Sequence, residues 1–166
     1  MEENQMDVRI AVFPETKVAV AEHHGPPQHE YETSKRLIEW RLQNHLSLTD
    51  HQTYGVHYTD PYSTPPADHR VDFCVTYDRP VQPNPQGIIS KAIPACRCAL
   101  ARHFGSRAHN IAAVYLFTEW LPRSGERLGD FPIFFHYVNV GPHVQDHEMI
   151  TDVYLPLRSS GYGTMA

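Results

Sequence analysis

Alternating apolar and polar positions mark strand-like segments in both halves of the chain, and a helical stripe lies among them. The strand-like segments of the first half are at 8–13, 17–24, 54–59 and 70–77, and a helix is predicted over 31–46. Those of the second half are at 88–93, 97–104, 133–139 and 150–157, and a helix is predicted over 110–121. In the first helix, Ile38, Leu42 and Leu46 fall on one apolar stripe. The order of elements therefore occurs twice.

An offset of 80 residues brings identical residues of the two halves into correspondence. The identities link Pro14, Ala19, Ala21, His23 and Gly25 to Pro94, Ala99, Ala101, His103 and Gly105, and Asp72 to Asp152. We therefore predict a single α+β domain over 1–166, built by pseudo-two-fold duplication of a strand-helix-strand-strand unit. The predicted first repeat is 8–78, the linker is 79–87 and the second repeat is 88–157.

Each predicted repeat has only one helix, which is too little to cover its sheet. We therefore expect each repeat to bury an apolar face against the other. A groove along such an axis is a natural central pocket, because both halves present equivalent residues to it.

Composition narrows the classes of function. The chain has 166 residues and a formal charge of −5, without a cluster of Lys and Arg, which argues against direct binding of nucleic acid. It has no apolar run long enough for a membrane helix, and its start, MEENQMDV, lacks the features of a secretory signal. We expect a cytoplasmic protein. Neither the 3 cysteines nor the 12 histidines show the spacing of a metal or redox motif, so we expect no cofactor and no metal.

Aromatic residues at matching places suggest a ligand site. With a one-residue slip, VHYTD at 56–60 aligns with FHYVN at 135–139, so that one strand of each half carries a tyrosine. The candidate ligand-binding residues are Trp40, Val56, Tyr58, Trp120, Phe135 and Tyr137, with Glu39 and Glu119 beside the tryptophans. Such rings could cage a flat, apolar or cationic ligand. Alternatively they fill the core and the glutamates are solvated.

Two strand acids are equally ambiguous. Asp72 and Asp152 each lie inside a predicted strand, where they could face a ligand or pair with Arg70, Lys91 or Arg97. No nucleophile elbow, phosphate-binding loop or dinucleotide fingerprint is present, so we assign no catalytic residue.

Several short segments occur in an order typical of one family. They are VAVAEHHGP, YGVHYTDPYSTPP, RVDFCV, CALARHFGS, EWLPRSG, FFHYVN and ITDVYLPL. Over about 8–157 the chain resembles the GyrI-like small-molecule-binding domain, the effector-binding module of many AraC/XylS-type activators. The resemblance implies a central pocket for hydrophobic, often cationic compounds, and hence a stand-alone binding module for drug sensing or sequestration. Stand-alone copies also occur as integron gene-cassette proteins that bind drugs.

Two departures from the family pattern shape the alternatives. The resemblance leaves no room for the helix-turn-helix region of the activators, so direct DNA binding is not expected. Family members often carry Glu, any residue, Tyr on a pocket strand, but the Glu column here holds Val56 and Phe135. Glu119 or Glu39 would then have to supply the charge for a cation. The alternatives are a protein-interaction module acting on a topoisomerase or a transcription factor, and a hydrolase of cyclopropane-bearing alkylating agents, which the missing Glu disfavours.

Overall fold

The order of elements predicted from the sequence is the order found in the structure, a computed structural model that describes residues 6–159. The strands are β1 (Arg9–Phe13), β2 (Thr16–His24), β3 (Thr53–His57), β4 (Arg70–Thr76), β5 (Ile89–Ile93), β6 (Cys96–Phe104), β7 (Phe134–Tyr137) and β8 (Ile150–Pro156). The helices are α1 (Glu30–Gln43), α2 (Ile111–Tyr115) and α3 (Leu121–Ser124), and a π-helical segment, Leu116–Trp120, joins α2 to α3. The predicted α+β class is confirmed.

The chain divides into two compact units, each with four antiparallel strands. The central unit, Glu15–Ile93, has the strand order β5-β2-β4-β3 and carries α1. The terminal unit, Met1–Pro14 with Pro94–Ala166, has the order β1-β6-β8-β7 and carries the helical segments. β1, the first strand of the first predicted repeat, therefore pairs with β6 in the terminal unit. β5, the first strand of the second predicted repeat, pairs with β2 in the central unit. The repeat boundaries are a correspondence of sequence and stay a prediction.

Helix α1 packs on its sheet through residues that lie beside the predicted stripe. Leu37 and Trp40 are buried in a cluster with Ala19, Ala21 and Val75. The predicted stripe is wrong for two of its members, since Ile38 is 44% exposed and Leu42 is 60% exposed. The alanines of β2 let the helix approach closely, so the bulky indole and Leu37 fill the interface and the neighbouring side chains face outward.

The helical run of the terminal unit is interrupted because of a proline. Ala112 and Leu116 are buried in a cluster with Ala99, Val153 and Leu155. Pro122 is the second residue of α3 and lies two residues after the π-helical segment ends at Trp120. Proline has no N–H to donate to the carbonyl four residues earlier, and a wider turn before it relieves the clash of its ring. No helix within residues 6–159 meets the length and hydropathy of a membrane span.

Strand register corrects the one-residue slip predicted between the halves. Val56 lies opposite Asp72 in the β3–β4 pair, and His136 lies opposite Asp152 in the β7–β8 pair. The offset of 80 therefore continues through these strands, and the slip is wrong. Because side chains alternate along a strand, a shift of one residue moves each side chain to the other face. Tyr58 and Tyr137 are consequently not equivalent.

Candidate functional site

Four residues of the central unit share the strand face that α1 does not cover. Val56 and Asp72 are direct cross-strand neighbours, and the next pair along the same face brings Tyr58 to Arg70. Val75, on the other face of β4, is buried against α1. Side chains two residues apart on a strand point the same way. Tyr58 and the carboxylate of Asp72 are therefore adjacent.

Asp72 is a buried carboxylate that is held by two partners, Tyr58 and Lys91. Its residue is only 2% exposed. The Tyr58 hydroxyl donates a hydrogen bond to Asp72 Oδ2 over 2.7 Å, and Lys91 Nζ donates to the same oxygen over 2.8 Å. Lys91 Nζ also lies 2.7 Å from Glu22 Oε2 at the exposed rim. Of the cations considered from sequence, Lys91 is the one that pairs with Asp72.

Apolar residues surround this carboxylate on its own face. Each of them is buried: Val18, Val20, Tyr54, Val56, Cys74 and Ile93. Removing a carboxylate from water is costly unless charged or hydrogen-bonding partners compensate for it. Tyr58 and Lys91 supply these partners for Asp72.

The surroundings shift the pKa values of the neighbouring groups. Burial, together with the hydrogen bond to Asp72, raises the pKa of Tyr58 to about 12. Burial alone would lower the pKa of Lys91, but its hydrogen bonds to Asp72 and Glu22 outweigh burial and raise it. Burial, reinforced by the charge of Asp72, raises the pKa of Cys74. At neutral pH the site thus holds a phenol, a thiol and an ammonium group.

Cations also lie over the ring of Tyr58. The Arg70 guanidinium carbon is 4.6 Å from the ring centroid, and Lys91 Nζ is 5.6 Å from it. Both distances are within the range of a cation–π contact. The combination of a buried carboxylate and an aromatic face that already attracts cations is suited to recognition of positive charge.

The terminal unit has a different arrangement on its corresponding face. Arg102 donates to Asp152 from Nε over 2.7 Å and from Nη2 over 3.0 Å. Fork-shaped contacts of this kind hold a carboxylate firmly. Asp152 is therefore engaged by a rigid bidentate partner, whereas Asp72 is held by a flexible lysine.

Beside that ion pair lies an aromatic cluster. Phe134 stacks on Tyr154 at 5.0 Å between ring centroids, and Phe13 meets both rings edge-on. Phe131 adds a further edge contact to Phe134 at 6.0 Å. Burial, reinforced by the charge of Asp152, raises the pKa of Tyr154. These rings form an aromatic cluster in which Phe13 and Phe134 are buried.

The structure places the predicted tryptophans on the helix-covered faces. Trp40 is 3% exposed and meets Tyr77 edge-on at 5.1 Å within the core of the central unit. Trp120 is partly buried against the core of the terminal unit. Trp40 therefore lies on the other side of the sheet from Tyr58 and Asp72.

Phe135 and Tyr137 also lie on the helix-covered face of their sheet. Phe135 packs against the core cluster there, and its ring is 6.5 Å from that of Tyr137. The Arg107 guanidinium lies over the Tyr137 ring at 4.9 Å, while Nε donates to Thr151 Oγ1 over 2.8 Å. The structure thus brings Phe135 and Tyr137 together, but on a face unlike that of Val56 and Tyr58.

The two predicted glutamates lie on helix surfaces. Glu39 is exposed on α1. Glu119 accepts a hydrogen bond from Arg123 Nη2 over 3.0 Å, one turn along the helical run, and both side chains are largely exposed. The contact of Glu119 is with Arg123 and not with the aromatic residues of the strands. The role of Glu39 and Glu119 toward a ligand stays a prediction.

Histidines of the central unit form hydrogen bonds within the fold. His23 Nδ1 is 2.7 Å from Thr33 Oγ1, and His69 Nε2 is 2.6 Å from Glu30 Oε2. Burial, followed by the charge of His69, lowers the pKa of His57 to about 4. Across residues 6–159 no group of three or more His, Cys, Asp or Glu side chains has the arrangement of a metal site.

The sequence predicts Val56 and Tyr58 as ligand-binding residues, but it does not single out Asp72 or the aromatic cluster of the terminal unit. Asp72 was noted only as an ambiguous strand acid, and Phe13, Phe134 and Tyr154 were not considered as a cluster. The available signal was the offset of 80, which aligns Val56 with His136 and Tyr54 with Phe134 if it is kept without a slip. In that register, the pair of Val56 with Asp72 corresponds to the pair of His136 with Asp152.

Comparisons with known proteins agree with the fold. A model of the GyrI-like small molecule binding domain matches residues 6–158. The probable transcriptional regulator YgiV of Escherichia coli K12 is 35% identical over 154 residues, which cover 92% of this chain and 96% of that protein.

Solved structures share the fold at low sequence identity. The EcmrR C-terminal domain superposes with a TM-score of 0.73 at 17% identity, covering 93% of this chain and 99% of that one. A hydrolase from Listeria innocua gives 0.64 at 11% identity, with 93% of both chains covered. SAV2435 bound to tetraphenylphosphonium gives 0.54 at 10% identity, covering 93% and 95%. The match of the family model and the 35% identity to YgiV show that the chain belongs to the GyrI-like small-molecule-binding domain family.

Proposed function

We propose that the chain binds lipophilic small molecules, organic cations among them, on the strand face that carries Tyr58 and Asp72. Binding there would serve drug sensing or sequestration. The observation that carries the proposal is the Asp72 carboxylate, which is 2% exposed among apolar side chains and lies 2.7 Å from the Tyr58 hydroxyl. A buried negative charge beside a ring gives an organic cation both charge compensation and dispersion contacts.

Two comparisons support the choice of ligand class. The matched family is described as a small molecule binding domain. SAV2435, which shares the fold, was solved with tetraphenylphosphonium, a bulky lipophilic cation. The acid we assign here is Asp72 of β4 rather than a helix glutamate, because Asp72 is the carboxylate adjacent to Tyr58.

Paired titrations test the proposal. Tetraphenylphosphonium and the neutral triphenylphosphine oxide should each be titrated by calorimetry into the unmodified chain, Asp72→Asn and Asp152→Asn. We expect saturable binding of both compounds by the unmodified chain. Asp72→Asn should weaken cation binding at least about tenfold and leave the neutral compound within about twofold, since only the cation uses the charge.

Asp152→Asn is the matched control, because it removes the corresponding strand acid of the other unit. It should leave cation binding unchanged. If neither compound binds saturably to the unmodified chain, the proposal is wrong. Equal loss of cation binding in both aspartate variants would overturn the assignment of Asp72.

Hydrolysis is the second candidate function, because the site pairs a phenol with a carboxylate. The Tyr58 hydroxyl is a donor with a pKa raised to about 12, so it is protonated at neutral pH. A cyclopropane-bearing alkylating agent incubated with the chain should be recovered unchanged and bound, as judged by mass spectrometry. Multiple turnover that is lost in Tyr58→Phe would instead establish the hydrolase.

A further inference from the structure

We propose that Lys91 is an internal cation that a cationic ligand must displace from Asp72, and that Lys91 thereby sets the balance between cationic and neutral ligands. This inference rests on the proposed function of the same face. Lys91 Nζ lies 2.8 Å from Asp72 Oδ2 and 5.6 Å from the centroid of the Tyr58 ring. It thus occupies the position in which a ligand cation would meet both groups.

Lys91 is held in a way that allows it to leave. Its ammonium group contacts two carboxylates, the buried Asp72 and the half-exposed Glu22, which lies 2.7 Å away on the solvent side. The Lys91 side chain is itself 27% exposed. A lysine has a flexible stem and a strongly hydrated head, so it can keep Glu22 and gain water when it releases Asp72.

The terminal unit offers a natural contrast. There the corresponding acid, Asp152, is bound by both Nε and Nη2 of Arg102. A planar guanidinium that makes two parallel hydrogen bonds is harder to replace by a cation without donors. Exchange of a protein cation for a ligand cation is therefore favoured at Asp72 rather than at Asp152.

Asp72 retains a hydrogen bond after the exchange. The Tyr58 hydroxyl donates to the same oxygen of Asp72 as Lys91 does, over 2.7 Å. An organic cation can therefore supply the missing positive charge while Tyr58 continues to satisfy the carboxylate. A neutral ligand cannot supply that charge, so it must bind with Lys91 still in place.

Removal of the lysine tests this competition. Lys91→Met keeps an unbranched side chain but has no charge, and Arg123→Met removes a cation from the exposed pair with Glu119 as a matched control. Lys91→Met should raise the affinity for tetraphenylphosphonium at least about tenfold, because no internal cation competes for the carboxylate. Affinity for triphenylphosphine oxide should change less than about threefold, and Arg123→Met should change neither compound's affinity.

A double variant confirms that the gain depends on the carboxylate. In Lys91→Met with Asp72→Asn, the increased affinity for tetraphenylphosphonium should disappear. If Lys91→Met leaves cation affinity unchanged or lowers it while the unmodified chain binds both compounds, the displacement inference is wrong and the proposed function stands. If neither the unmodified chain nor Lys91→Met binds either compound, the displacement inference and the proposed function are both wrong.

A second measurement needs no variant. The chain contains three lysines, Lys17, Lys35 and Lys91, and Lys35 is exposed. Acetylation by acetic anhydride, read by mass spectrometry, should become faster at Lys91 relative to Lys35 when tetraphenylphosphonium is bound. It should not do so with triphenylphosphine oxide. Equal protection of Lys91 by both compounds would overturn the inference, because Lys91 would then stay in place.

Discussion

Val56 and Asp72 lie directly opposite each other in the β3–β4 pair, on the face that α1 leaves uncovered. Valine occupies the position on β3, and the carboxylate lies directly opposite it on β4. Direct cross-strand neighbours have Cβ atoms about 4.5–5.5 Å apart. The carboxylate of Asp72 on β4 therefore lies close to the place that an acid at position 56 of β3 would occupy.

The first prediction concerns Phe134, which organises the aromatic cluster of the terminal unit. Its residue is fully buried and its ring contacts Tyr154, Phe13 and Phe131. Phe134→Ala should lower the free energy of unfolding by about 3–5 kcal/mol, because it leaves a cavity and removes ring contacts. Urea denaturation measures the loss.

The exposed Phe104 provides the control for Phe134. Phe104 is 68% exposed, so Phe104→Ala should change the free energy of unfolding by no more than about 0.5 kcal/mol. Similar losses in the two variants would show that the cluster does not stabilise the fold.

The second prediction concerns the ionisation of Tyr58. Burial and the hydrogen bond to Asp72 raise its pKa to about 12 from an ordinary value of 10.0. The folded state therefore favours the protonated phenol, and this contribution is complete below about pH 10 and lost as pH rises through about 12. The tyrosinate absorbance of the unmodified chain minus that of Tyr58→Phe should give a titration with a midpoint near 12.

Asp72→Asn checks the cause of that shift. Without the carboxylate, the titration attributed to Tyr58 should move to lower pH, since the hydrogen bond and the charge of Asp72 both favour the protonated form. An unchanged midpoint would mean that burial alone accounts for the shift.

Much of the fold could be predicted from the sequence because its signals are local. Pro14 and Pro94 interrupt paired strand segments, and Gly25 and Gly105, at positive φ, end β2 and β6. Such residues specify turns wherever they occur. The duplication was visible for this reason, and the α+β class followed from it.

The register and the strand partners could not be predicted in the same way. β7 has four residues, FFHY, and carries aromatic side chains on both faces, so alternation does not fix which residues face the helix. The contacts of Asp72 join residues 14 and 19 positions away in sequence, Tyr58 and Lys91. The β3–β4 pair brings Tyr58 to Asp72, and the pairing of β2 with both β4 and β5 brings Lys91 to it.

The third prediction concerns stability in acid and rests on His57. Burial, followed by the charge of His69, lowers its pKa to about 4 from an ordinary value of 6.5. Between these values the unfolded chain binds a proton that the folded chain does not, so stability present above about pH 6.5 is lost as pH falls through about 4.

Chemical denaturation at both ends of this window measures the effect. His57→Gln should reduce the fall in unfolding free energy between neutral pH and about pH 4 by on the order of 3 kcal/mol. The exposed His24 serves as the control, and His24→Gln should leave the fall unchanged. A fall of the same size in His57→Gln would assign the acid sensitivity to other groups.

The last prediction separates the two tryptophans, which are the only two in the sequence. Trp40 is 3% exposed and packs with Ala19, Ala21 and Val75 on the face opposite Tyr58 and Asp72. In Trp120→Phe, all tryptophan emission comes from Trp40. That emission should be blue-shifted, resist quenching by acrylamide and stay unchanged when tetraphenylphosphonium saturates the site, because the sheet separates the indole from the ligand. Saturable quenching of Trp40 with the midpoint found by calorimetry would place the ligand on the helix side and overturn the choice of the Asp72 face, whereas quenching confined to Trp40→Phe would assign it to Trp120.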